Sequence, residues 1–411
     1  MNSITEISPL TKEPLPIEVS VLFLLCKLER HDLDKNQIVS KIENDKFSWK
    51  AFFDFSIDYH VTTLVFRNLN YLEIQIPEKF KEEFRKQVQL LFVRNSKIVH
   101  KWEKIEQQLI ANSIQAIPLK GIHLLDLLYD DITLRHISDV DILIKNQDLI
   151  KCLNLFEKFG FDYVESELPS YVKKSLRFHS PYNFKKGGLL IDLHLSAHNN
   201  PNFLIDTNFF WDNLEVNEMD KTVRLDLEQT TIYVLLHLAS SFFSGKFKVA
   251  NFIDAAELLN KLDSKASSDF LERCKNQGVL DKITPFILLC KIYFDCKTQI
   301  PLVDEASFND VEEIFLEYLV EGKSKKLISH ELYRNVSTFD YFLRLPTISE
   351  KVNAALLFGS YILVPRKYFL KARYGKEKNI VLLLLNHFAS FIIAFFSFFK
   401  RRSLALKKHR L

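Results

Sequence analysis

Between residues 17 and 112 apolar positions recur at three- and four-residue spacing with charges between them. The runs are Val19, Leu22 and Leu25, then Phe52 and Phe55, then Val61, Leu64, Val65 and Leu69, then Leu90, Leu91 and Ile98. That period predicts a bundle of about four amphipathic helices. Pro77 marks a loop and then stands at the start of the next helix, 78–109, where a first-turn proline is tolerated. The texture changes at 114–121, a short apolar stretch that ends in Lys120-Gly121 and reads as a strand running into a helix over 122–128. A second strand is expected over 140–145, nearly all apolar and therefore buried. A helix over 147–159 then closes at Gly160, the usual residue past a helix C-terminus. The alternating segments 182–184 and 189–194 flank Lys185-Lys186-Gly187-Gly188 and predict a strand pair joined by a glycine turn.

After Pro201 the helical period returns, over 227–243, 249–262, 268–274, 283–294, 311–320 and 348–363. The expected fold class is α+β, a small mixed-sheet core between N- and C-terminal helical domains. The boundaries expected are 1–112 for the first helical domain, 113–200 for the α/β core and 201–375 for the second helical domain. Residues 376–411 are expected to form a hydrophobic helix and basic tail. Within that last part, 380–399 is a run of twenty residues without a charge, flanked by Lys376 and Lys378 on one side and Lys400-Arg401-Arg402 on the other. A helix of that length reaches ~30 Å, about one bilayer core. Its polar Asn386, Ser390 and Ser397 fall on one narrow face, with His387 beside them. The stripe fits a buried terminal helix, one lying in a membrane surface, or one that spans. If it meets a membrane, the basic tail predicts a cytoplasmic C-terminus.

Composition narrows the chemistry. The 411 residues include nine Gly, none placed as G-x-G-x-x-G or G-x-x-x-x-G-K-[ST], so the usual dinucleotide and P-loop readings fall away; Gly322-Lys323-Ser324 lacks its upstream glycine. The five Cys are odd in number and never at C-x-x-C spacing, so neither a disulfide framework nor a cysteine zinc site is indicated. A reducing, cytoplasmic setting fits, and residues 1–17 show no secretory signal. The last twelve residues hold six Lys or Arg and no acid, so the remaining chain carries about −3 against the whole chain's +3. With no basic stripe along the body, no long nucleic acid is expected, and a small-molecule or peptide acceptor is the default.

The sharpest chemical feature is Arg135-His136-Ile137-Ser138-Asp139-Val140-Asp141. Carboxylates two positions apart on a strand point the same way. Asp192, on a later strand within Ile191-Asp192-Leu193-His194, supplies a third. Three carboxylates at one sheet edge repel unless a cation sits among them, and hard divalent ions want such oxygens together with substrate phosphates. The site implied is a two-metal site for phosphoryl or nucleotidyl transfer. A solvated strand edge is the plainer reading of D-x-D by itself, but here the acids sit on otherwise apolar strands with Lys120, Arg135 and Ser138 nearby.

These residues carry a resemblance. Leu119-Lys120-Gly121, Tyr129, Arg135-x-x-Ser138-Asp139-x-Asp141, Phe159-Gly160-Phe161, His179 and Ile191-Asp192-Leu193-His194 together look like the largely uncharacterised bacterial nucleotidyltransferase family within the DNA-polymerase-β-like superfamily. Trp49, Arg94-Asn95, the His237 helix, Asp254-Ala255-Ala256-Glu257-Leu258 and 368–374 extend the similarity over roughly residues 15–380. The resemblance implies that Asp139 and Asp141 hold Mg²⁺, or Mn²⁺. Asp192 would bind one metal and help deprotonate an acceptor hydroxyl that attacks the α-phosphate of a nucleoside triphosphate. The superfamily's Gly-Ser pair, normally about ten residues before the aspartates, is absent. Lys-Gly stands instead, 18 residues before Asp139, and Lys120, Gly121, Arg135 and Ser138 are the residues expected at the phosphates.

His179 and His194 flank the third carboxylate strand and either approach the phosphates or serve as hydrogen-bonded structural histidines. His237 and Asp254 lie on consecutive helices, where they either close the cleft or bond to each other. Two alternatives from other classes stand beside the enzyme: a nucleotide-binding or protein-interaction module with weakened catalysis, and a membrane-attached assembly factor using 380–399. The enzyme needs all three carboxylates to converge within metal-bridging distance, whereas the module tolerates a displaced Asp192.

Overall fold

The structure is a computed structural model and describes residues 15–164, 182–197, 203, 205–243, 248–298, 300 and 308–321. The helices expected at 348–363 and 380–399 and the basic tail lie outside the described residues. Among the described residues no helix is long and apolar enough to cross a membrane.

The first helices are α1 (Ile17–Leu25), α2 (Lys35–Ile42), α3 (Trp49–Asp58) and α4 (Thr62–Tyr71), followed by the 34-residue α5 (Glu78–Ala111). Ser48 starts α3 by accepting the Ala51 amide, and Asp34 does the same for α2 through Gln37. Each is a side-chain cap of the kind that satisfies an orphan first-turn donor. At about 1.5 Å per residue α5 reaches some 50 Å. It therefore serves two cores: Phe84 joins the helical cluster, and Ile98, Trp102, Ile105 and Leu109 pack on the sheet.

The sheet comprises β1 (Ala116–Pro118), β2 (Val140–Ile144), β3 (Asp162–Val164), β4 (Tyr182–Lys186) and β5 (Leu189–His194), in the order β1-β2-β5-β4-β3. It is mixed: β2 and β5 run parallel and every other pair is antiparallel. A parallel pair needs a crossover, which here carries α7 (Leu149–Lys158) and the outer strands. Leu149, Cys152, Leu155 and Phe156 form the buried stripe of α7, and Phe156 meets Phe184 of β4 edge-on at 4.8 Å. All five residues of β2 are buried, Asp141 among them, as its otherwise apolar sequence predicts. Gly187 (φ 53°) and Gly188 (φ 82°) turn the β4–β5 hairpin, since a two-residue turn of this hand needs positive φ at both positions.

Beyond the sheet a two-stranded ribbon, β6 (Glu215–Val216) with β7 (Val223–Arg224), precedes α8 (Leu227–Phe243), α9 (Val249–Lys261), α10 (Ser264–Asn276), α11 (Leu280–Tyr293) and α12 (Phe308–Glu321). These helices and the N-terminal ones share one hydrophobic cluster. Phe23 of α1 packs edge-on to Phe294 at 5.2 Å, and the Tyr59 hydroxyl donates to the Leu319 carbonyl at 3.2 Å. The small helix α6 (Ile122–Leu128) follows β1. The sheet thus rests on α5 and α7, while α8 and α9 reach across to the carboxylate end of β2.

Candidate active site

The parallel pairing of β2 with β5 sets Asp141 directly beside Asp192. His194 lies two residues beyond Asp192 on the same face of β5, and its Nε2 is 3.0 Å from Asp141 Oδ1. One ligand atom from each of Asp141, Asp192 and His194 falls within 4.8 Å of the others. Two carboxylates and an imidazole nitrogen form a donor set suited to a divalent ion. Asp139 lies just ahead of the strand and takes the Ser138 hydroxyl on Oδ1 at 2.7 Å. The cluster that could hold an ion therefore contains His194, and Asp139, expected among the ligands, is not one of its members.

Electrostatics separate the two strand acids. Burial opposes ionisation of Asp141, but the charge of Lys120, the His194 hydrogen bond and the charges of His194 and His237 outweigh it and hold the carboxyl well below the usual range. Lys120 Nζ sits 3.3 Å from Asp141 Oδ1 and 3.5 Å from His237 Nε2. Asp192 moves the other way. Burial and the neighbouring Asp141, with a smaller push from Asp139, raise it to about 6 against the amide of Asn183, which donates at 2.5 Å. Like charges this close cannot both ionise freely, so the group favours a cation.

The loop that delivers Asp139 and Asp141 is held from two sides. Asn95 of α5 donates to the carbonyls of Ile132 and Arg135. Arg135 itself is buried and gives Nε and Nη2 to Asp254 of α9 at 2.6 to 3.0 Å, while Tyr129 donates to the same carboxylate at 2.6 Å. Arg135 was expected at the phosphates; the structure commits it to Asp254. Nor do His237 and Asp254 bond to each other: His237 reaches Lys120, with Ser241 Oγ at 3.3 Å. Tyr233, His237 and Ser241 recur every fourth residue on α8, a face that closes over the carboxylates. The Tyr233 hydroxyl is pushed up by burial and then by Asp141, Asp139 and Asp192. Gly121, with φ 49°, turns the chain from β1 into α6 and lies against the Asp139 carbonyl. His179 lies outside the described residues.

The sequence reading missed Asn183, Lys248, His60 and the role of His136. Asn183 pairs with Asp192 across the β4–β5 hairpin, a neighbour that alternation and turn length already fixed. Lys248, 109 residues beyond Asp139 in the chain, carries no local signal of its nearness to it.

Residues 45–295 match the family model described as uncharacterised nucleotidyltransferase. No curated protein and no solved structure matches the chain.

Proposed function

The chain belongs to the uncharacterised nucleotidyltransferase family, and we propose on that footing that it moves a nucleoside monophosphate from a nucleoside triphosphate to a hydroxyl of a small-molecule or peptide-derived acceptor. The observation that carries this reading is the registered pair Asp141 and Asp192 with His194 beside them. A module with weakened catalysis would tolerate a displaced Asp192; here Asp192 stands level with Asp141, while Asp139 lies on the entering loop outside the cluster.

Asp141, Asp192 and His194 would hold the ion, with Asp139 close by on the loop entering β2. A bound Mg²⁺ or Mn²⁺ would supply Lewis-acid charge for the triphosphate. Lys120 keeps Asp141 ionised and ready to ligate. Asp192, its carboxyl fixed by Asn183, is poised to take the proton of the acceptor hydroxyl as that oxygen attacks the α-phosphate and pyrophosphate leaves. Tyr233 and His237 wall the carboxylates from α8 and limit water. The rest of catalysis is positioning, as expected for phosphoryl chemistry that needs little covalent help.

A pH dependence follows. Asp192 must shed its proton to ligate, and that proton is held up to about pH 6. Mn²⁺ affinity therefore rises about tenfold per pH unit below that point and levels above it. Calorimetric titration between pH 5 and 7.5 reads the slope, and Asp192→Asn removes it along with most of the affinity.

The reading itself is tested by incubating the purified protein with each α-phosphate-labelled ribonucleotide, a divalent metal and a metabolite extract. Metal-dependent passage of label into a new product, absent with Asp141→Asn, is the expected result. Label that stays in nucleotide under every metal and nucleotide overturns it.

A further inference from the structure

Two cations near the carboxylates make no ion pair among the described residues. Arg94 of α5 donates from Nη1 to Nε2 of His136 at 2.7 Å, and the His136 ring meets His60 edge to face at 4.6 Å. Lys248 is half-buried immediately before α9, whose Ala250 amide donates to the Tyr59 carbonyl at 3.4 Å, so the start of that helix stands beside His60 and hence His136; it is also within electrostatic reach of Asp139, Arg135, Arg94 and Lys120. Among the described residues neither Arg94 nor Lys248 lies within ion-pair distance of a carboxylate; Lys120 and Arg135, by contrast, are engaged by Asp141 and Asp254. The two imidazoles add no charge. Burial, helped by Lys248, Arg94 and Arg135, holds each at about 4, so both are neutral near pH 7. With Nε2 of His136 accepting from Arg94, its proton resides on Nδ1, which makes that nitrogen a donor.

Arg94, His136 and Lys248 thus converge on the Asp139 side from three elements: α5, the loop entering β2, and the start of α9. Unpaired cations held close together repel, and a multiply charged anion relieves them through charge-assisted hydrogen bonds. No Gly-Ser pair precedes the aspartates at the spacing expected of a triphosphate cradle, and the two cations expected in its place are occupied. The phosphate charge needs other partners.

We propose that Arg94, His136 and Lys248 form the subsite for the β- and γ-phosphates of the donor nucleotide, an inference that rests on the nucleotidyl-transfer reading above. The test is calorimetric titration of the full chain with inorganic tripolyphosphate, ATP and AMP in the presence of Mg²⁺. A parallel Mn²⁺ titration without phosphate reports the metal site. Arg94→Ala and Lys248→Ala are each expected to weaken tripolyphosphate and ATP about tenfold, and the double variant about a hundredfold. AMP and Mn²⁺ binding stay as in the wild type. Tripolyphosphate binding equal in wild type and double variant overturns the subsite while leaving the metal reading intact. So does a wild type that binds Mn²⁺ but no tripolyphosphate. An equal loss of AMP affinity would place a different phosphate there and overturn the assignment to β and γ. A wild type that binds neither Mn²⁺ nor tripolyphosphate overturns this inference together with the reading on which it rests.

Discussion

Asp141→Ala is expected to lower metal-dependent nucleotidyl transfer by at least about a thousandfold, the equivalent of some 4 kcal/mol of transition-state stabilisation. No other side chain in the site has so many dependents. Asp141 is buried, stands level with Asp192, accepts from His194 and balances the Lys120 ammonium. Removing it takes a metal ligand away and leaves Lys120 as an uncompensated cation where the ion should bind. Single-turnover transfer of labelled nucleotide measures the loss, and circular dichroism verifies that the sheet persists. Asp141→Asn preserves shape and sharpens the result, because an amide neither balances Lys120 nor ligates as a carboxylate does. Activity within tenfold of wild type in both variants would remove Asp141 from the chemistry.

Asp254→Ala is expected to produce the largest loss of stability, about 3 to 5 kcal/mol. The change leaves the buried Arg135 guanidinium without its counter-ion and the Tyr129 hydroxyl without its acceptor. Burial works against the charge on Arg135, and Asp254 outweighs it and holds that charge firmly in place. Urea unfolding with Arg135→Met/Asp254→Leu alongside separates two explanations. If the cost comes from a stranded charge, the joint variant recovers most of it, since apolar replacement of a whole buried pair is often neutral. If the joint variant is as unstable as Asp254→Ala, the pair contributes specific geometry that packing does not replace. Because this pair and Asn95 clamp the loop leading to Asp139, Mn²⁺ affinity in the joint variant also reads how far the clamp positions the carboxylates.

Much of this arrangement was legible before the fold was known, because the signals are local. The nearly all-apolar stretch 140–145 marked a buried strand, and alternation around Gly187-Gly188 marked the hairpin; both stand in the sheet. Period-two spacing, applied in the sequence to Asp139 and Asp141, applies equally to Asp192 and His194, the pair that joins Asp141 in the cluster able to hold an ion. Asp139 departs from it because the strand begins at Val140, which leaves Asp139 on the entering loop with Ser138. The ribbon 215–224 escaped because two-residue strands carry no period. Arg135 was taken for a phosphate ligand because its partner lies 119 residues away, a separation at which spacing carries no information. Lys248 and His60 were missed for the same reason: their place beside Asp139 and His136 depends on helices that meet only in the folded chain.

The most direct test of a metal-dependent nucleotide site on these strands is thermal denaturation of the purified chain with ATP, GTP, CTP and UTP. Each is tried with and without Mg²⁺ or Mn²⁺, beside Asp141→Asn. The account predicts that at least one nucleotide raises the melting temperature only when metal is present, and that the variant loses that rise while keeping its own cooperative transition. A nucleotide that stabilises both proteins equally, or stabilisation of neither by any pairing of nucleotide and metal, would contradict it.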